Sequence, residues 1–205
     1  MGTRMKSTER RAAIVQSAIH LFAEKGFRGA TTRELAAALR VTEPVLYQHF
    51  QTKKDLYRAI IEFKVTQVRA DAGGMLELAS GENDRAFFTA IGELILGRFD
   101  KDPELTRLLL YSSLERHELS DLFFDRAIAE FYQLVAGFIR RRIRAGAFRK
   151  VHADTAARGL IGMFHYHGLI GLLYPNRIRQ PNRKKLINEL VTLFLAGVLA
   201  APRKG

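Results

Sequence analysis

Apolar residues recur at helical spacing along nearly the whole chain. Ile14, Ala18, Leu21 and Phe22 form an early stripe, and Phe131, Leu134, Val135 and Phe138 a late one. No long segment alternates with period two, and no Asn-Gly or Asp-Gly pair marks a hairpin. The pattern predicts an all-α fold, cut by start and stop signals into about nine helices. The first runs from near Thr8 to Lys25 and stops at Gly26. Thr31 and Glu34 have the spacing of a capping box and open the second. Thr42 opens the third, its hydroxyl placed to accept a hydrogen bond from a free first-turn N–H. Thr52, with Asp55 three residues on, opens the fourth, which extends to Asp71. Ala72–Gly74 and Ser80–Asp84 read as loops. A fifth helix follows to Phe99, and Asp102-Pro103 starts the sixth. The seventh covers 121–145 and stops at Gly146; the last two cover 153–174 and 182–200.

The first three helices are short, whereas the later ones are long and strongly apolar. No flexible linker separates the two groups. The chain therefore divides into a small N-terminal three-helix domain, residues 1–54, and a larger helical bundle, residues 55–205, with the boundary inside the fourth helix.

Charge changes the picture next. The formal net charge of the 205 residues is +12. Residues 1–58 hold 11 Lys and Arg against 5 Asp and Glu, and the much longer remainder holds 22 against 16. The short first part is the denser in positive charge, which suits a polyanion, nucleic acid before an anionic membrane. No cysteine is present, so disulfides, thiolate metal sites and a cysteine nucleophile are excluded together. No apolar run is long enough to span a membrane, and the expected setting is cytoplasmic. The six histidines show no metal-ligand spacing, so neither metal nor cofactor is expected. The Ile139–Arg144 run, "IRRRIR", falls in the last turns of a helix, where cations favour the macrodipole.

The stretch "RELAAALRVTEPVLYQHF", Arg33–Phe50, carries the functional signal. Leu35, Ala36 and Leu39 share one side of the second helix. Only Arg40 and Val41 precede Thr42, and a connection that short forces two helices into a sharp crossing, the helix-turn-helix geometry. Pro44 sits in a first turn, where its missing N–H costs little. Val45, Leu46 and Phe50 pack inward and leave Glu43, Gln48 and His49 facing out. A short helix with a packed back and a polar front suits the major groove.

"TTRELAAALRVTEPVLYQHFQTKKDLY", Thr31–Tyr57, resembles the DNA-binding region of the TetR family of transcription regulators. It shares the threonine-capped second helix, the short turn, the "LYxHF" motif and the lysine that opens the fourth helix. The resemblance covers the first sixty residues or so closely; beyond them it rests on helix pattern and length alone. It implies that Thr32 and Arg33 make phosphate and base-edge contacts. It puts Thr42 at the DNA-facing start of the third helix, with Glu43, Pro44, Val45 and Gln48 on its base-facing side. Tyr47 and His49 become phosphate contacts, and Lys53 the phosphate anchor of the fourth helix. Two positions depart from the family pattern. Arg40 stands where glycine is usual, which costs roughly 1 kcal/mol if it adopts positive φ. Val45 replaces a small hydroxylated residue, offering methyl contacts instead.

The resemblance further implies a homodimer through the two C-terminal helices and a largely apolar small-molecule effector in the body. Phe63, Tyr111, Phe131, Phe164 and His165 are the candidate lining residues. The implied function is a repressor that binds a palindromic operator and is released by its effector. An activator of the same fold and a basic helical interaction module without a ligand are the alternatives. No convergent acid, base, nucleophile or metal set supports an enzyme.

Overall fold

The computed structural model describes residues 7–178 and 181–200. They are helical throughout, and their one β-type pairing is an isolated antiparallel bridge between Phe148 and Leu199. The helices are α1 (Ser7–Gly29), α2 (Thr32–Ala38), α3 (Glu43–His49), α4 (Lys53–Asp71), α5 (Met75–Ser80), α6 (Asp84–Lys101), α7 (Pro103–Leu114) and α8 (Glu118–Phe123). A π-helical turn, Phe124–Ile128, leads into α9 (Ala129–Arg144), followed by α10 (Ala153–Leu173) and α11 (Arg183–Val198). The all-α expectation and most boundaries hold. The predicted seventh helix is α8, the π turn and α9 in succession. α5 was not foreseen: six residues between glycine-rich flanks, anchored by buried Met75 and Ala79 one turn apart.

Packing sorts the chain into two units, Met1–Val68 with Glu104–Arg126, and Arg69–Pro103 with Ala127–Gly205. The division in α4 therefore falls at Val68, later than the expected break after residue 54, and α7 and α8 return to the N-terminal unit. In that unit α1 buries Ile14, Val15, Ala18, Ile19 and Phe22, and α4 buries Leu56, Tyr57, Ile60 and Ile61. Each buried Val, Leu, Ile and Phe among them contributes roughly 1.5–3 kcal/mol of transfer free energy.

The second unit has its own core, centred on α6, α9, α10 and α11. Phe87 stacks on Phe138 at 4.0 Å between centroids, and Phe88 meets Phe138 at 5.4 Å and Phe194 at 5.0 Å edge-on. Gly92 lets Phe164 lie against α6: a methyl there would come within 2.8 Å of the Phe164 ring. The half-buried pair Arg142–Asp84 is bidentate, at 2.7 and 3.2 Å, and ties α9 to the start of α6. The α9 C-terminus closes through Gly146 at φ 76, with Ala147 N–H donating to the Arg142 carbonyl at 3.0 Å.

Candidate nucleic-acid interface

The sharp turn between α2 and α3 is built from backbone hydrogen bonds. Val41 N–H donates to the Ala36 carbonyl and Arg40 N–H to that of Ala37, both at 3.0 Å. This Schellman closure requires a left-handed residue, and Arg40 takes that conformation at φ 53, at the position where the resembled family has glycine. The same closure ends α7, with Arg116 at φ 51. At the other end of α2 the capping box is complete: Glu34 N–H donates to the Thr31 hydroxyl, and Thr31 N–H to the Glu34 carboxylate.

The back of α3 is Leu46 and Phe50, each 3% exposed. The Arg11 guanidinium lies over the Phe50 ring, 4.6 Å from its centroid. The front is Pro44, Tyr47 and Gln48, all exposed, with exposed Arg33 on α2 and exposed Thr42 ahead of α3. Val45, His49, Thr32 and Glu43 are half-buried. Among the described residues neither Arg33 nor Arg40 makes an ion pair.

Three details differ from the sequence-based expectation. Thr42 occupies the cap position of α3 but makes no side-chain cap hydrogen bond. Pro44 in the first turn has no N–H to give, so one of the two donors such a cap uses is missing. Glu43, expected to face outward, accepts a hydrogen bond from the Thr32 hydroxyl at 2.9 Å, which pins the first residue of α3 to the first residue of α2. Lys53 is partly withdrawn: its ammonium lies 4.4 Å from the Phe27 ring centroid, and burial lowers its pKa, with the nearby Glu115 charge opposing.

Glu34 gives the reader its acid limit. The Lys25 ammonium at 2.6 Å, then the Thr31 amide and hydroxyl, hold its pKa at about 2 against an ordinary 4.5. A depressed carboxylate pKa stabilises the fold fully above the unfolded-state value and loses that contribution as pH falls through the folded one. The α2 cap is therefore expected to persist at pH 5 and to fade between about pH 4.5 and 2. Glu34→Gln should remove that part of the acid dependence, as read by helical circular dichroism against pH. An unchanged acid profile would remove Glu34 from this role.

Behind the reader stands a brace supplied by α7 and α8. Gly26 breaks α1 at φ 71, ψ −180, and the amides beyond the break, part-buried at Phe27 and exposed at Arg28, find an acceptor 87 or more residues away. Glu115 accepts from Phe27 N–H at 3.1 Å and Arg28 N–H at 3.2 Å. Tyr57 is stacked among Phe22 at 4.8 Å, Phe27 at 5.2 Å and His117 at 5.2 Å. Its hydroxyl donates to the Leu108 carbonyl at 3.4 Å, and burial raises its pKa to about 12. Burial also lowers the pKa of His117, whose ring packs 4.2 Å from that of Phe27. Lys54 pairs with Glu118 at 2.8 Å, and His20 with Glu104 at 2.8 Å. In the sequence, "LERHE" reads as a solvated helix end; no local signal announces partners so distant in the chain.

The five candidate effector residues are not gathered in one unit. Phe63, 36% exposed, and Tyr111, 38% exposed, belong to the N-terminal unit, where Tyr111 packs against Gly26. Phe131, Phe164 and His165 belong to the second. Phe164 is wholly buried, Phe131 is partly buried, and His165 lies edge-on to Phe99 at 5.2 Å. Among the described residues no three His, Asp or Glu side chains stand together as a metal site, and no helix is long and apolar enough to cross a membrane.

With this geometry in place, likeness to known proteins becomes informative. Residues 14–60 match the family model described as bacterial regulatory proteins, tetR family. Residues 90–197 match the C-terminal domain of AefR-like transcriptional repressors. A nucleoid occlusion factor, SlmA, of Salmonella paratyphi B is 32% identical over 147 residues, covering 67% of this chain and 70% of that protein. The transcriptional activator FasR of Mycolicibacterium smegmatis is 38% identical over 61 residues, 30% of this chain and 28% of that protein. Among solved structures, a protein of Saccharomonospora viridis described as a transcriptional regulator, in complex with choline, has a TM-score of 0.75 at 21% identity, covering 95% of this chain and 100% of that one. AibR in complex with isovaleryl coenzyme A and operator DNA has a TM-score of 0.69 at 20% identity, over 90% of this chain and 97% of that one. At these identities the solved structures speak for the fold. Fold and family are those of transcription regulators, not of enzymes.

Proposed function

We propose that this chain, which belongs to the TetR family of bacterial regulatory proteins, is a cytoplasmic repressor that binds a palindromic operator as a homodimer and is released by a small molecule. The observation that carries the reading is the front of α3. Pro44, Tyr47 and Gln48 stand free of the protein on a helix whose back is fixed by Leu46 and Phe50. Gln48 reads a base edge through its amide, which pairs bidentately with adenine. Arg33, Thr42, Tyr47 and His49 fix register on phosphates. Val45 contributes methyl contacts. Thr32 and Glu43 act together, holding the two helix starts at the angle the groove needs.

The dimer reading rests on α10 and α11. Gly159, Gly162, Tyr166 and Leu173 follow one another along the exposed side of α10, and Leu193 is 66% exposed on α11. An apolar stripe studded with glycines lets helices approach closely. Two-fold symmetry then places two readers one helical turn of DNA apart, roughly 34–36 Å or a multiple of it. Selection of bound duplexes from a random pool by the purified chain tests this. The expected product is an inverted repeat with that spacing. Enrichment of a single asymmetric half-site contradicts the dimer.

Lys53 is the phosphate anchor at the start of α4, its ammonium steadied on Phe27. Lys53→Ala should weaken binding to every duplex alike and reduce the salt slope by about one. An unchanged slope removes Lys53 from the phosphate contacts.

The effector acts by preferring the released state, and a tenfold loss of operator affinity needs only about 1.4 kcal/mol of such preference. Support comes from the ligand complexes of similar folds. Of the candidate set, Phe131 and His165 are the residues we assign to ligand contact in the second unit. A second reading, DNA binding in nucleoid occlusion, draws on the SlmA relatives. Chromosome-wide occupancy separates the two: few sites, each at a promoter whose transcript changes on deletion, for the repressor; dispersed sites without transcript changes for the other.

A further inference from the structure

The basic run at the end of α9 does more than cap a helix. Where α9 ends and α10 begins, the surface folds into an open groove of about 620 Å³. Its floor is aliphatic, made by Ile143, Val151 and Ala153, and its rim is Arg140, Arg144, His152 and Asp154. The rim charges are not equivalent. Arg140 is spent, bonded to the Asp154 carboxylate at 3.1 Å and to the Gln133 side chain at 3.2 Å. His152 is occupied as the cap of α10, its Nδ1 accepting from Thr155 N–H at 3.3 Å. Arg144 is exposed and has no hydrogen bond or ion pair among the described residues. Arg149 and Lys150 lie in the non-helical link between α9 and α10, both exposed. Since Asp154 cancels Arg140, the groove keeps a net positive charge, carried by Arg144.

We infer that this groove binds an amphipathic monoanion, a carboxylate carrying a short aliphatic chain. The head meets Arg144, whose planar fork matches two carboxylate oxygens, while the chain lies on Ile143 and Val151. Each half excludes another class of ligand. A bare inorganic anion leaves the aliphatic floor wet. A neutral alkyl chain leaves Arg144 without a partner. The site is separate from the α3 face and from the candidate effector residues, so it stands or fails independently of the function proposed above.

The test is a titration of the full chain with octanoate, followed through the ¹³C-labelled methyl groups of Ile143 and Val151. Both sets of resonances are expected to shift along one saturable curve. Octanol and acetate should each bind at least about tenfold more weakly. Arg144→Gln, an exposed substitution that leaves the fold unchanged by circular dichroism, should weaken octanoate by a similar factor. Val151→Thr, which keeps the shape of the floor but makes it polar, should weaken it less. Shifts confined to other methyl groups, equal affinity for octanol, or an unaltered curve in Arg144→Gln would each overturn the assignment. So would the absence of any shift at 10 mM octanoate, roughly the weakest affinity of interest.

Discussion

Gly26→Ala is expected to destabilise the folded chain by about 3 kcal/mol. Two independent causes contribute. The backbone at Gly26, φ 71 and ψ −180, lies in a region that is essentially reserved for glycine. An added methyl would also stand 2.7 Å from the Glu115 carboxylate and 3.0 Å from the Tyr111 ring. Moving Glu115 aside relieves the contact but takes the acceptor away from Phe27 and Arg28 N–H, and an orphaned amide costs about 1–3 kcal/mol where water cannot replace the bond. The measurement is urea unfolding of the single variant, of Glu115→Ala, and of the two combined. The double variant should recover the steric part only, so the sum of the single effects should exceed the combined one. Gly74→Ala, exposed, at φ −73 and with nothing within 4 Å of an added methyl, is the control and should be close to neutral. A cost for Gly26→Ala below about 1 kcal/mol would mean that the elbow relaxes freely, and the brace account would be wrong.

For the dimer proposed through α10 and α11, Gly162→Arg should leave the monomer folded and abolish association. In the single chain a side chain at Gly162 meets nothing within 4 Å, and glycine is the poorer helix former by up to 1 kcal/mol, so the fold loses nothing. Within a four-helix interface the same arginine would bury a charge without a partner, which such interfaces do not tolerate. Sedimentation should therefore move from dimer to monomer at micromolar concentration. Operator affinity should fall by at least about a hundredfold, because the second half-site no longer gains from the first. A variant that remains dimeric with full affinity would place the interface elsewhere.

How far the sequence leads is clearest helix by helix. Thr31 with Glu34 and Thr52 with Asp55 fix two helix starts through bonds three residues long, and both bonds are present. The left-handed turn at Arg40 was signalled only by the resemblance, through the glycine usual at that position. The Thr42 cap fails on an equally local fact, the missing N–H of Pro44, which is itself visible in the sequence. What could not be read is non-local. Glu115 serves Phe27 and Arg28, Glu118 serves Lys54, and those pairings follow from how α7 returns to α1 and α4, not from any spacing. The π turn at Phe124–Ile128 likewise leaves apolar periodicity nearly intact and gives no warning.

The most direct test of the account is the preference profile of Gln48→Ala. Wild-type chain and variant are titrated at several salt concentrations against the duplex chosen from the random pool and against single-base changes of it. The variant is expected to keep the wild-type salt slope, since no phosphate contact is lost, and to become indifferent at one base pair of each half-site, a loss of about 1–3 kcal/mol of discrimination there. Identical profiles for both proteins, or no binding to any duplex at low salt, would contradict a DNA-reading α3.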